Sequence, residues 1–175
     1  KYYQTISTAE GGYGALVFYP VALFGALATC GGSGNTLPLV IFGLKAKSEQ
    51  IRAVSKIALV PGWFGINEPV TFGMPIMYNP ILCIPYVLNV IVVMACTLFM
   101  YKIGFLVPGF VPIMTLMPMG FGSFLSTLRW QNAVWDYLTM IPAGLVWYPF
   151  FKLYDNQLYK KEQEAKAAEV AAAKA

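Results

Sequence analysis

Residues 57–101 read IALVPGWFGINEPVTFGMPIMYNPILCIPYVLNVIVVMACTLFMY, and they decide the fold class. Glu68 is the sole charged side chain in this stretch, while Pro61, Pro69, Pro75, Pro80 and Pro85 punctuate its first half. Each interior proline removes a backbone hydrogen bond and crowds the preceding turn, so a straight helix cannot run through that half. From Tyr86 to Met100 nothing interrupts, and a clean helix is expected, beginning a few residues earlier. The stretch is apolar enough for lipid and too broken for one simple crossing. Irregular backbone at that depth is tolerated only where protein or a water-filled cavity satisfies it.

The rest of the chain agrees. Of its 175 residues 11% are charged and 58% hydrophobic, against about 25% charged for an ordinary soluble domain. No charge falls between Glu10 and Lys45, between Glu68 and Lys102, or between Lys102 and Arg129; each gap exceeds the roughly 20 residues that cross a bilayer. The fold class expected is therefore all-α: a polytopic membrane protein with broken helices and re-entrant hairpins. The net charge of +4 does not mark a nucleic-acid binder, because the cations sit where apolar runs end and form no basic and aromatic face. Lys45, Lys47, Arg52 and Lys56 make one cluster and Lys152, Lys160 and Lys161 another. The positive-inside rule places both on the cytoplasmic side, with two full crossings between them and further segments dipping in and returning.

Cys30-Gly31-Gly32-Ser33-Gly34-Asn35-Thr36 separates the apolar run Tyr13 to Thr29 from the short run Leu37 to Leu44. The latter is too short to span, which favours a re-entrant tip over a plain loop between two crossings. No lysine follows the glycines at phosphate-loop spacing. Lys45 to Lys56, with Ile51, Val54 and Ile57 at helical spacing, is expected to lie along the cytoplasmic interface. Ile103 to Leu128, rich in proline and glycine, is expected to form a second dipping element. Asn132 to Phe151 is expected to close the membrane part, kinked at Pro142 and Gly144, with Trp130, Trp135, Trp147 and Tyr148 as interfacial aromatics. Residues 1–155 make the membrane domain; 156–175, alternating Lys, Glu and Ala, form a cytoplasmic tail, a solvated helix or a disordered one. The absence of an initiator methionine and of a signal peptide suggests that a longer protein extends upstream.

Glu68 carries the strongest functional signal, because an ionisable group among apolar segments is costly unless a partner, water or ligand compensates. Asn67 adds an amide donor and acceptor, and Pro69 pushes the pair toward extended backbone. Such a pair suits a hydroxyl-rich ligand. Asp136, beside Arg129, is expected to serve an ion pair or a helix dipole. Trp63 is the one tryptophan whose ring is a candidate for stacking on a ligand. Cys30, Cys83 and Cys96 read as packing residues. With no histidine in the chain and no metal-ligand spacing, neither a metal nor a cofactor is expected.

Taken together, Gly31-Gly32-Ser33-Gly34-Asn35-Thr36-Leu37, Ile66-Asn67-Glu68-Pro69-Val70-Thr71-Phe72-Gly73-Met74-Pro75, Asn79-Pro80, Ser123-Phe124-Leu125-Ser126-Thr127 and Tyr148-Pro149-Phe150-Phe151-Lys152 resemble one family. It is the membrane component, enzyme IIC, of the bacterial phosphoenolpyruvate-dependent sugar phosphotransferase system, in its lactose, cellobiose and diacetylchitobiose branch. The similarity runs from about residue 25 to residue 162. It implies the C-terminal transport-domain portion of a permease in the bacterial inner membrane, a homodimer at full length. By the same resemblance, Asn67, Glu68, Gly31, Gly32, Gly34 and Asn35 would hold a β-linked disaccharide. The chain itself would catalyse nothing; a separate IIB-type component with a phosphocysteine, fed by a IIA-type component, would phosphorylate the sugar. The sequence departs from the family in lacking its upstream histidine and in having Pro112-Ile113-Met114-Thr115 where a Pro-Trp-Thr is usual. The rival expectation is a proton- or ion-coupled secondary transporter or channel in which Glu68 binds the coupling ion.

Overall fold

A tight turn over Cys30–Asn35 opens the computed structural model, which describes residues 30–107 and 117–172. The apolar run 13–29 and residues 108–116 of the second dipping element lie outside the described residues. Seven α-helices and one 3-10 turn follow, and no strand occurs among the described residues. The all-α expectation is met.

Helix α1 (Leu37–Gly43) begins beside Pro38, which sits in the first turn, where its missing N–H costs nothing. Helix α2 (Glu49–Trp63) starts at Ser48, whose hydroxyl accepts from the Ile51 amide at 3.3 Å. It turns Ile51, Ser55, Ala58 and Gly62 toward α1. Small residues let the two helices close: a Cβ on Gly43 would collide with Ser55 Oγ, and one on Gly62 would lie 3.3 Å from Leu37 Cδ1. Lys45 to Lys56 is continuous with its neighbours. It supplies the loop after α1 and the first half of α2, because the apolar spacing that starts at Ile51 continues unbroken to Trp63; Ile57 and Val60 on the outer face are 71% and 66% exposed.

After a turn at Phe64–Asn67 come α3 (Glu68–Gly73), the 3-10 turn (Ile76–Tyr78) and α4 (Pro80–Ile103). Asn79 caps α4 by accepting from the Ile81 amide at 3.0 Å, and Gly104, at φ 82°, ends it in the left-handed conformation. Among the described residues α4 is the helix long and apolar enough to cross a membrane, with a mean hydropathy of 2.4. Its buried stripe, Leu82, Pro85, Asn89, Val93 and Thr97, recurs every three or four residues; Ile84, Val87, Ile91 and Phe99 lie outward.

The second half contains α5 (Phe121–Thr127), α6 (Trp130–Leu138) and α7 (Met140–Ala172). The closing span breaks at Thr139 rather than at Pro142, since Pro142 falls in the first turn of α7, where a proline needs no partner for its nitrogen. α7 has 33 residues, about 50 Å at 1.5 Å per residue, and packs along α4 and α1. Asn89 Nδ2 donates to the Ala143 carbonyl at 3.0 Å. Leu39, Val40, Met74, Leu82, Trp147 and Phe151 meet in the main core.

Residues 156–172 of the tail are helical and attached; 173–175 lie outside the described residues. α7 continues through Asp155 into the tail without a break, and there it grips the start of α2. The Asp155 carboxylate accepts from the Lys47 amide at 3.0 and 3.1 Å and from the Ser48 amide at 3.0 Å. The Glu162 carboxylate accepts from Ser48 Oγ at 2.6 Å and from the Glu49 and Gln50 amides at 3.1 Å each, and Lys166 pairs with Glu49 at 2.9 Å. These are the free N–H groups at a helix start, where a carboxylate is favoured by both hydrogen bonding and the dipole. Partial burial of Glu162 works against its charge, but the Ser48, Gln50 and Glu49 donors and Lys166 outweigh it and hold the carboxyl below its ordinary range.

Candidate functional site

The glycine-rich turn is built by backbone conformations open to few other residues. Gly31, Gly32 and Gly34 have φ of 82°, 76° and 78°, and Asn35 has 50°; left-handed backbone suits glycine and, next best, asparagine. The turn closes on itself. Asn35 Oδ1 accepts from the Cys30 amide at 3.1 Å, Thr36 Oγ1 donates to the Gly31 carbonyl at 2.6 Å, and the Leu37 amide donates to the Cys30 carbonyl at 3.2 Å.

This turn meets the Phe64–Asn67 turn. Asn67 Nδ2 donates to the Ser33 carbonyl at 2.8 Å. A Cβ on Gly32 would stand 2.5 Å from the Gly65 carbonyl oxygen and 3.1 Å from Asn67 Cβ and Cγ, so only a glycine lets the two backbones approach this closely. On the far side, Gly34 lies against the Tyr86 ring of α4 with no room for a Cβ. Two breaks that are 34 residues apart in sequence thus become one junction, with Asn67 spanning it. Of the six expected site residues, Gly31, Gly32, Gly34 and Asn35 are buried within the turn, Asn67 is half-buried, and Glu68 is exposed at the first position of α3. Among the described residues no hydrogen bond engages the Glu68 carboxylate. It stands exposed beside Asn67 at the edge of the junction.

The second dipping element reaches the same region. The Met119 amide donates to the Trp63 carbonyl at 3.0 Å, and Tyr137 Oη donates to the Met119 carbonyl at 2.8 Å. The Trp63 and Tyr137 rings lie 5.8 Å apart between centroids. Asp136 is not paired with Arg129. It is buried and accepts from Ser123 Oγ, because α6 turns that face toward α5 rather than toward the chain before it.

Trp147 was not legible as part of this site. Its placement near the end of an apolar run suggested an interfacial ring, yet it is fully buried and its Nε1–H is shared between the Asn35 carbonyl at 3.0 Å and the Gly34 carbonyl at 3.3 Å. Trp135 is likewise buried, donating to Thr97 Oγ1 at 3.1 Å, whereas Trp130 and Tyr148 are exposed as expected. Cys30 is buried and Cys83 and Cys96 are half-buried, in keeping with packing roles.

Two helix breaks with glycine-bearing turns thus meet beside a helix long and apolar enough to cross a membrane, an arrangement of the kind that broken-helix membrane transporters use. The family model "Phosphotransferase system, EIIC" matches residues 6–90. The lichenan permease IIC component of Bacillus subtilis (strain 168) is 35% identical over 146 residues, covering 82% of this chain and 32% of that protein. The lactose-specific EIICB component of Lacticaseibacillus casei is 37% identical over 144 residues, covering 76% of this chain and 23% of that protein. Among solved structures, the transporter ChbC, the IIC component of the N,N'-diacetylchitobiose-specific phosphotransferase system, matches with a TM-score of 0.74 at 32% identity, over 81% of this chain and 34% of that one. The chain belongs to the EIIC family of the phosphotransferase system, and it spans about a third or less of the length of these relatives.

Proposed function

We propose that this chain is the solute-holding, C-terminal portion of a β-glycoside permease. In that protein, Glu68 and Asn67 hold hydroxyl groups of a β-linked disaccharide against the turn formed by Gly31, Gly32, Gly34 and Asn35. The observation that carries it is the 2.8 Å bond from Asn67 Nδ2 to the Ser33 carbonyl, which joins the two helix breaks and leaves the neighbouring carboxylate exposed at their junction. A carboxylate accepts two hydroxyl hydrogens at once, and the Asn67 Oδ1 left over from the Ser33 bond can accept a third. Relatives named for lichenan, lactose and diacetylchitobiose support the β-linked substrate class. The phosphoryl group comes from a separate IIB-type component, supplied by a IIA-type one; a relative named EIICB, which unites IIC and IIB in its name, supports the IIB partner. Residues 1–155 lie in the bacterial plasma membrane as part of a multi-pass homodimer, and 156–175 lie on its cytoplasmic side.

Binding of cellobiose, lactose and N,N'-diacetylchitobiose to the purified protein, compared with Glu68→Gln, tests the site. A loss of about tenfold or more in affinity is expected, one charge-assisted hydrogen bond being worth about 1.5–3 kcal/mol. Unchanged affinity removes Glu68 from the site. A proton- or ion-coupled mechanism has no support among the relatives; uptake into vesicles driven by a proton gradient without any phosphocarrier component would restore it.

A further inference from the structure

Three consecutive carbonyls of the glycine turn are held from two opposite sides. Ser33 is held by Asn67 Nδ2 at 2.8 Å; Gly34 and Asn35 are held by the one indole N–H of Trp147, at 3.3 and 3.0 Å. Trp147 lies 112 residues beyond Asn35 in the chain, has no exposed surface, and stands on α7 eight residues before Asp155. Asp155 in turn anchors the start of α2 through the Lys47 and Ser48 amides. One rigid helix therefore grips the α1–α2 pair at both ends, at the turn that precedes α1 and at the loop that precedes α2. α2 then runs forward to the Asn67 and Glu68 turn.

We propose that Trp147 is a positioning residue of the disaccharide site, acting through the Gly34 and Asn35 carbonyls on the Ser33 carbonyl and hence on Asn67. The inference rests on the sugar-site assignment made above and deepens it. The physical need is clear from the turn's composition. Three of its five residues, from Gly31 to Asn35, are glycines at positive φ, so the unrestrained turn has much backbone freedom to lose. The peptide plane after Gly34 is held at one end by the Asn35 amide, which donates to the Gly32 carbonyl at 3.0 Å, and at the other by Trp147; the plane before Gly34, which carries the Ser33 carbonyl, has no such second bond among the described residues and follows the first when that is loosened. If that carbonyl swings, Asn67 Nδ2 loses its acceptor, and the amide rotates about its terminal torsion so that Oδ1 no longer faces the place where the sugar hydroxyl sits. A ring without the N–H would fill the same space and release the tie.

The test separates filling from tying. Trp147 is replaced in the full-length protein by 3-benzothienylalanine, which keeps the bicyclic shape and lacks the donor. Affinity for whichever of cellobiose, lactose and N,N'-diacetylchitobiose the unmodified protein binds is then measured by calorimetry, in the native and in the Asn67→Ala background. We expect affinity to fall about tenfold in the native background and to change less than twofold in the Asn67→Ala background, because the tie works through that residue. Thermal unfolding should fall by the same amount in both backgrounds, because the two carbonyls lose the same donor in each. An equal fall in both backgrounds makes Trp147 a general packing residue and overturns the proposal, as does unchanged affinity in the native background. Glu68→Gln runs alongside: if it leaves affinity unchanged, the sugar-site assignment fails, and the Trp147 role with it; if it weakens binding while the benzothienyl variant does not, the Trp147 proposal fails and the site stands.

Discussion

Gly32→Ala and Gly65→Ala are expected to separate the two roles of glycine at the junction. Both positions have left-handed backbone, at φ 76° and 81°, so each alanine carries the same conformational penalty of about 1–2 kcal/mol. Their surroundings differ. A Cβ at Gly65 meets nothing within 4 Å, while one at Gly32 stands 2.5 Å from the Gly65 carbonyl oxygen. Comfortable heavy-atom contact lies near 3.5 Å, so Gly32→Ala must drive the two turns apart by about 1 Å. The Asn67 Nδ2 to Ser33 bond would then stretch from 2.8 Å past the roughly 3.2 Å at which such bonds are lost. Gly32→Ala should therefore weaken disaccharide binding by about tenfold or more, whereas Gly65→Ala, which carries the conformational penalty alone, should lower the unfolding temperature by less than Gly32→Ala and bind nearly as the native protein does. The assay is calorimetric titration paired with thermal unfolding of both variants in the same detergent. Equal losses of affinity in the two, or native affinity in Gly32→Ala, would refute the claim that close approach of the turns makes the site.

Other outcomes follow from the clasp on α2 and from the buried polar groups. Asp155→Ala leaves the Lys47 and Ser48 amides without their shared acceptor and should cost about 2–3 kcal/mol of stability, read as faster amide hydrogen exchange at residues 45–50. Glu162 has a carboxyl pKa below its ordinary 4.5; its contribution is complete above that value and is lost as pH falls through the depressed folded value. Proteolysis of the tail should accordingly quicken only on strong acidification, and in Glu162→Gln the acid-dependent step should shrink. Asn89→Leu removes the bond to the Ala143 carbonyl together with an Oδ1 that has no partner among the described residues. Interhelical hydrogen bonds in membranes average about 0.6 kcal/mol, so unfolding should shift little; a large loss would mean that Oδ1 has a partner of its own.

Several features were legible in the residues alone. The prolines between Pro61 and Pro80 mark the breaks, and the uninterrupted apolar run from Tyr86 to Met100 marks a helix that begins a few residues earlier, at Pro80, because each depends on local backbone chemistry; the extended backbone expected before Pro69 is not found, since Glu68 opens α3 and Asn67 has φ -108° and ψ 0°. The pairing of Asn67 with Glu68 and the glycine turn also stood out as candidates, since polar and left-handed residues are conspicuous in apolar sequence. Other features were invisible. Trp147 looked like an interfacial ring because a tryptophan near Lys152 has the same sequence surroundings whether its N–H faces headgroups or a buried carbonyl. Asp136 looked like the partner of Arg129 for want of any local sign that Ser123 would be nearer.

What the amino-acid sequence determined unaided is the solvent and the punctuation: charge-free runs require lipid or a protein interior, and prolines and glycines place the breaks. What only the tertiary structure decided is which breaks meet and what ties them together. Asn67 to Ser33, Trp147 to Gly34 and Asn35, and Asp155 to Lys47 join residues between 34 and 113 positions apart. Hydrogen bonds of that separation depend on how helices pack in space, and no local propensity or spacing rule encodes them.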